Sequence, residues 1–114
     1  MLTKEQRAEI AETVTKLERD LYGRGPSSVR VWNSGGSPEV VTVLSMDTLT
    51  VSDQTLVERG AVNAVAARHD SLHMATYDDF WHAVADVVGE EPNAYFGQVD
   101  PHTGYAVRVF VFES

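Results

Sequence analysis

Arg24 is the residue of this sequence that is best placed to bind a ligand. It lies in the segment Gly23–Pro26, where Gly23 can end a helix and Pro26 prevents that helix from resuming. The guanidinium on this short loop could hold a small anion such as a carboxylate, phosphate or bicarbonate. It could instead bind the carbonyl groups that end the preceding helix, and this interpretation is favoured because a helix C-terminus attracts cations.

Arg30 and Arg68 join Arg24 in the predicted anion-binding set, and Arg108 is a further candidate. These residues are far apart in the sequence, so only the tertiary fold can bring them together. A small-anion binding or sensing domain that uses the Gly-Arg-Gly-Pro loop is the alternative function that these residues support.

The histidines offer a second kind of chemistry. His69 and His73 lie four residues apart on a predicted helix, which can direct two imidazoles at one metal ion, and Asp78 and His82 repeat the spacing. A zinc site needs a third ligand, however, and the chain has no cysteine and no His-Glu-x-x-His motif. A hydrogen-bonded core or interface histidine is the more common role for His69, so we predict no metal and no cofactor.

A possible catalytic group occurs near the C-terminal end. Asp100, His102 and Thr103 offer an acid, a base and a hydroxyl, but Pro101 and Gly104 make this segment an exposed hairpin tip. A working triad needs a base that is oriented beside its nucleophile by further contacts. We therefore predict no catalytic residue and a protein that is not an enzyme.

An aromatic stripe indicates association instead. Tyr77 and Trp81 lie four residues apart, beside the stripe of the core residue Phe80, and His73 can extend their stripe. We predict that Tyr77, Trp81 and His73 form an interface, most simply in a two-fold dimer, since exposed aromatic patches mark association sites. Ordinary core packing, with the first helix covering the stripe, is the competing interpretation.

The elements that must position these residues follow the order helix, hairpin, helices, hairpin. Thr3 and Gln6 form a capping-box pattern before a helix over 4–21, whose solvated side includes Glu18. Turn-separated β-branched segments predict hairpins over 28–46 and 94–112. Between them, Thr50 and Asp53 begin a helix, and a helical segment over 61–88 has a predicted break near residue 75, where Thr76 could cap a new helix.

This order predicts one α+β domain over residues 1–114. Its four-stranded antiparallel sheet carries the helices on one face, because no regular βαβ alternation is present. The segment Val109–Phe112 is apolar on both faces, which places the last strand centrally in the sheet.

Composition excludes some functions. The 114 residues carry 9 basic and 17 acidic side chains, a net charge of −8, which argues against nucleic-acid binding. No apolar segment approaches the length of about 18–20 residues that spans a bilayer, so no direct membrane insertion is expected. The polar N-terminal residues do not have the pattern of a signal sequence. We expect a soluble, cytoplasmic protein, which the lack of cysteine also fits.

The whole pattern resembles the MpsC-like family of small bacterial domains, which is named for a Na+-translocating membrane potential-generating system. The resemblance runs from about Glu5 to Phe112 and rests on the leading helix, the segment Tyr22–Pro26, the Leu49-Thr50 pair, the helical segment between Gly60 and Gly89, and the terminal hairpin. The Gly-Arg-Gly-Pro loop is its most specific element. This chain departs from the expected pattern at Asp47, where glycine is expected, and at Asp53, where glutamate is expected.

The resemblance implies a cytosolic accessory domain of a membrane ion or inorganic-carbon transport system, and it carries over no catalytic residue. We therefore expect a non-enzymatic, self-associating interaction module, with a membrane-transport protein as a possible partner.

Overall fold

The computed structural model describes residues 2–113, which form four helices and one four-stranded sheet. The elements, in chain order, are α1 (Lys4–Tyr22), β1 (Ser28–Asn33), β2 (Glu39–Met46), α2 (Val51–Glu58), α3 (Val62–Ala75), α4 (Tyr77–Val88), β3 (Ala94–Val99) and β4 (Ala106–Phe112). This order confirms the predicted α+β class and both predicted hairpins. No helix within the described residues is both long enough and apolar enough to cross a membrane.

The sheet joins the two hairpins through their second strands. The strand order is β1-β2-β4-β3, and all neighbouring pairs are antiparallel. The central position predicted for the last strand is confirmed, since β4 lies between β2 and β3. In the β2–β4 register Val41 is opposite Phe110, and both are fully buried.

The helices cover one face of the sheet, as predicted. Ile10 and Val14 of α1 and Phe80 and Val84 of α4 pack against apolar side chains from the inner face. Those inner-face residues are Val41, Val43, Tyr95, Phe110 and Phe112. The alternation of side chains along each strand therefore sends every second residue into this core.

Most of the helices begin or end at residues that the local sequence pattern marks, such as capping boxes and glycines. Thr3 and Thr50 both form complete capping boxes, and α1 ends at Gly23, which has a φ of 80°. The predicted break between α3 and α4 is confirmed, but the predicted side-chain cap at Thr76 is wrong. The Thr76 hydroxyl instead donates to the Leu72 carbonyl at 2.6 Å, which satisfies the end of α3 rather than the start of α4.

The opposite face of the sheet has no helix packed on it and is called the open face here. It consists of the outward residues of the strands: Ser28, Arg30, Trp32, Val40, Thr42, Leu44, Met46, Ala94, Phe96, Gln98, Val107, Val109 and Val111. Trp32 is 50% exposed and Phe96 is 60% exposed, on the two edge strands. Arg30 is the charged residue of this face, which is otherwise mainly apolar.

Candidate functional site

The Gly-Arg-Gly-Pro loop is held against the turn that follows β2. Arg24 Nε donates to the Asp47 carbonyl oxygen at 2.9 Å, and the Ser27 hydroxyl donates to the Asp47 carboxylate. Among residues 2–113, the described acceptor for Arg24 is thus in this turn and not at the end of α1. The interpretation of Arg24 as a cap on the α1 carbonyls is wrong, and its role in this structure is to join two loops.

Asp47 has a backbone conformation that explains the expectation of glycine. Its φ is 58°, in the left-handed region, which glycine adopts freely and aspartate tolerates better than most residues. Asp47 therefore occupies a conformation that suits glycine, and its carboxylate accepts a hydrogen bond from the Ser27 hydroxyl.

The predicted anion-binding arginines have separate environments. Arg68 of α3 pairs with Asp53 of α2, and Arg30 is exposed on the open face. Arg24 is engaged by Asp47, and Arg108 is buried in the core. Each of these guanidinium groups is associated with a different part of the fold, so the set does not combine into one site around the loop.

Asp53 is the centre of a buried polar cluster between α2 and α3. Its side chain is fully buried, its Oδ2 accepts from the Thr50 N–H at 3.0 Å, and His69 Nε2 lies 3.0 Å from the same oxygen. Burial by itself raises the pKa of Asp53, but hydrogen bonds from His69, Thr50 and Arg68 outweigh it and hold the pKa below its usual value. Asp53 is therefore ionised at neutral pH and ties α3 to the start of α2.

A second buried polar cluster surrounds Arg108 at the centre of the sheet. Arg108 Nη1 lies 3.2 Å from Glu18 Oε2, and the Ser45 hydroxyl donates to the same oxygen at 2.6 Å. Arg108 Nε donates to the Tyr95 hydroxyl at 3.1 Å, and Nη2 donates to the Tyr22 hydroxyl at 3.3 Å. We call this set the Arg108 cluster. It connects α1, β2, β3 and β4 through charge-assisted hydrogen bonds.

The surroundings of Arg108 keep it charged despite its burial. The guanidinium carbon lies 3.9 Å from the centre of the Phe80 ring, which adds a cation–π contact. Burial by itself disfavours the cation, but attraction to Glu18 and Tyr95 outweighs it and holds the pKa of Arg108 above its usual value. Burial also raises the pKa of Tyr95 to about 12, so its hydroxyl keeps its proton.

Sequence reasoning placed Glu18 on the solvated side of α1, and this prediction is wrong. Glu18 is 1% exposed, because it lies four residues after Val14 and eight after Ile10, on the same face of the helix. The available signal was this spacing. It pointed to a buried carboxylate that needs a cation, and Arg108, between apolar residues of a central strand, is that cation.

The predicted interface residues lie at the margin of the core. The Tyr77 ring is 4.8 Å from Tyr95 and 5.8 Å from Trp81, and the His73 ring is 5.1 Å from Tyr95. Tyr77, Trp81 and His73 are all half-buried, and the Trp81 ring nitrogen donates to the Glu91 carboxylate. Much of this stripe is therefore covered within the chain, in part by Tyr95 of β3. Their role in an interface stays a prediction.

Gly97 of β3 makes room for the His73 ring. A Cβ atom at position 97 would lie 2.6 Å from His73 Cε1, which is closer than real side-chain contacts. Burial, together with the nearby charge of Arg108, lowers the pKa of His73, so the imidazole in this contact is neutral at neutral pH. The absence of a side chain at Gly97 lets α3 approach the edge of the sheet.

Gly97→Ala is therefore expected to lower the free energy of unfolding by about 1–3 kcal/mol, since it overpacks the contact between α3 and β3. Urea denaturation measures this change. Gly36→Ala is the matched control, because a Cβ atom there meets nothing within 4 Å, and its effect should stay below about 0.5 kcal/mol. Equal effects of the two substitutions would contradict the packing role of Gly97.

The other sequence candidates are accounted for by local bonds. Within residues 2–113, no group of three or more histidine, aspartate or glutamate side chains could hold a metal ion. At the hairpin tip, Asp100 accepts from the Thr103 hydroxyl at 2.7 Å and from the His102 N–H at 3.3 Å. These hydrogen bonds shape the exposed turn.

Together, the fold and these clusters define a small α+β domain with one open sheet face and two buried charged clusters. A family model described as "Na+-translocating membrane potential-generating system (MpsC)" matches residues 3–114. The chain therefore belongs to the MpsC family, which confirms the resemblance seen in the sequence. No curated protein and no solved structure matches it.

Proposed function

We propose that this domain is a non-enzymatic interaction module that self-associates through its open face. The observation that carries the proposal is an uncovered sheet face with large apolar side chains at both edges. Trp32 and Phe96 are 50% and 60% exposed, and half-buried valines of β4 lie between them. A contiguous apolar surface of this kind marks an association site.

A second copy of the chain is the occupant that fits this face. The sheet of four strands, at about 4.8 Å between strands and six residues of about 3.3 Å each, has a footprint of roughly 400 Å². Two such faces in contact bury about 800 Å² in total before side-chain relief is counted, which is the size of a weak, transient interface. We expect a two-fold sheet-on-sheet dimer with a dissociation constant in the micromolar range.

The net charge of the protein predicts how the strength of this dimer depends on salt concentration. Each copy has a net charge of −8, while the open face itself carries only the positive charge of Arg30. Long-range repulsion between copies therefore opposes an apolar contact, and added salt screens this repulsion. Dimerisation should strengthen with salt, whereas binding to a basic partner would weaken.

Substitution of Phe96 tests the interface. Phe96→Glu should shift the dimer to monomer, with at least about a tenfold weaker association, because it places two carboxylates in the apolar contact. Sedimentation equilibrium at two salt concentrations measures the association. Val51→Glu is the matched control, since Val51 is 74% exposed at the start of α2, in the helical layer on the other side of the sheet.

The same experiment distinguishes the open face from the other predicted interface, which consists of Tyr77, Trp81 and His73. Trp81→Glu should leave the dimer intact if the open face is the interface. Dissociation by Trp81→Glu but not by Phe96→Glu would move the interface to the helices. A native protein that stays monomeric at about 100 μM would contradict self-association altogether.

The second part of the proposal is that the domain acts in the cytoplasm as an accessory of a membrane ion-transport system. Family membership supports this link. Cells that lack the gene should show a smaller Na+-dependent membrane potential, measured with a potential-sensitive dye. The native gene should restore it, and the Phe96→Glu variant should not. An unchanged potential in the deletion strain would contradict this role.

A further inference from the structure

The edge strand β3 has backbone hydrogen-bonding groups that its neighbour β4 does not use. The Asp100 N–H donates to the Tyr105 carbonyl at 2.8 Å, which sets the alternation of bonded pairs along the β3–β4 ladder. The β3 residues that bond to β4 are therefore Ala94, Phe96 and Gln98. The residues whose N–H and C=O groups point away from β4 are Tyr95, Gly97 and Val99. Outside the sheet ladder, these groups make no backbone hydrogen bond within residues 2–113.

The sequence of β3 does not protect this edge, whereas the other edge of the sheet is protected. The edge strand β1 contains the charged Arg30 and ends at Asn33, whose side chain bonds to Arg7 at 2.9 Å and to Glu39 at 2.7 Å. Strand β3 contains no charged residue and no proline, which are the residues that commonly prevent pairing at a sheet edge. An added strand can therefore pair more readily with β3 than with β1.

A mainly apolar groove extends along β3 on both sides of this edge. Its volume is about 450 Å³, and its lining includes Met74 and Tyr77 on the helical side and Phe96 and Val109 on the open face. Met74 is 73% exposed and Phe96 is 60% exposed. Because the side chains of a strand alternate between the two faces of a sheet, a strand added to β3 would place them in turn against these two sides of the groove.

The charged residues around β3 favour a positively charged partner. Glu91 and Asp100 are exposed just before and just after the strand, and the exposed Asp70 of α3 lines the small cavity between α3 and β3. Arg108, the cation of that cavity, is neutralised by Glu18 at 3.2 Å. A second copy in antiparallel pairing with β3 would bring the acidic ends of the two strands together, and each copy has a net charge of −8. A basic segment is attracted instead.

We propose that β3 is a docking edge for an extended peptide segment of another protein, with β-branched residues at its centre and lysine or arginine at its ends. The segment adds a fifth strand to the sheet, with backbone hydrogen bonds to Tyr95, Gly97 and Val99. Its side chains fill the groove, and its basic ends lie near Asp70 and Asp100. The backbone groups that it uses lie along the edge of the sheet, so this site does not depend on self-association through the open face.

Amide hydrogen exchange of the native protein, measured by ¹H–¹⁵N NMR, tests this pairing. The probe is the synthetic peptide Lys-Lys-Val-Thr-Val-Thr-Val-Lys-Lys, added to about 1 mM. At saturation, the amides of Tyr95, Gly97 and Val99 should exchange about fivefold more slowly or better, because they gain acceptors. The amides of Phe96 and Gln98, which already bond to β4, should change far less. Equal changes in both sets, or no change in either, would overturn the proposal.

A control peptide separates strand pairing from attraction between charges. Lys-Lys-Gly-Ser-Gly-Ser-Gly-Lys-Lys has the same lysines without the β-branched centre, and it should give no protection. Equal protection by the two peptides would overturn the proposed recognition of an extended apolar segment. Protection of the same amides in the protein alone, increasing with protein concentration, would assign the edge to a second copy and also overturn the proposal.

Two charge-reversed variants test the location of the basic ends. Asp70→Lys should weaken binding of the valine peptide by about threefold or more, because it replaces an attraction beside β3 with a repulsion. Glu9→Lys is the matched control, since it changes the net charge equally on α1, which packs against β1 and α4. Equal weakening by both variants would contradict docking at β3. Peptide binding should also weaken with added salt, whereas the open-face dimer should strengthen, so failure of one proposal is distinguishable from failure of the other.

Discussion

Glu18→Ala is expected to lower the free energy of unfolding by about 3–5 kcal/mol, because it leaves the Arg108 guanidinium buried without its counter-ion. A typical domain has only about 5–15 kcal/mol of stability, so this substitution removes a large share. Urea denaturation at pH 7, followed by circular dichroism, measures the change. The Ser45 hydroxyl also loses its acceptor in this variant.

The matched control is Arg19→Ala on the same helix. Arg19 lies 3.7 Å from Asp20, and both side chains are more than half exposed, so its removal should change the stability by less than about 0.5 kcal/mol. The double substitution of Glu18→Leu with Arg108→Met should be far less harmful than either single change, since no charge is left unpaired. A loss below about 1 kcal/mol for Glu18→Ala would show that the buried pair is not a main support of the fold.

Asp53→Asn is expected to lower the free energy of unfolding by about 2–3 kcal/mol at pH 7, since hydrogen bonds from charged partners are lost. Asparagine keeps an acceptor for the Thr50 N–H, and Arg68 is partly exposed and can be hydrated. The loss should therefore be smaller than for Glu18→Ala. Asp86→Asn, on the exposed face of α4, serves as the control and should have little effect.

The pH dependence of the native protein follows from the same residue. The pKa of Asp53 is lowered in the folded state, so its stabilising contribution is present above the unfolded value of about 3.9. It is lost as the pH falls through the lower folded value, where the native carboxylate takes up its proton. Native protein should lose stability as the pH falls below about 4 more steeply than the Asp53→Asn variant. Parallel curves for the two proteins would contradict the assigned pKa direction.

The two buried clusters show which features of the site could be predicted from sequence patterns and which could not. The Asp53 cluster was half predicted, because Thr50 and Asp53 form a local capping box that the spacing reveals. The prediction of His69 as a hydrogen-bonded core histidine is confirmed. Its pairing with Asp53, and that of Arg68, was not predicted, since both depend on how α3 packs against α2. Arg24 was correctly singled out as a loop residue, but its partner lies in a turn more than twenty positions away.

The sequence by itself determined the helices, the hairpins and the family. Capping boxes, glycine helix ends and β-branched segments act over a few residues, so local patterns were enough to predict α1, both hairpins and the break near Thr76. The central place of β4 followed from its two apolar faces.

Only the tertiary structure decided which buried charges pair with each other and which apolar surface is left uncovered. Glu18 and Arg108 are ninety positions apart, and their pairing needs α1 to lie across β4 before either charge can be buried at a tolerable cost. Trp32 and Phe96 lie on the same open face, at its two edges, only because β2 and β4 join the hairpins in this strand order. Such contacts depend on packing between distant segments, for which the chain carries no local signal.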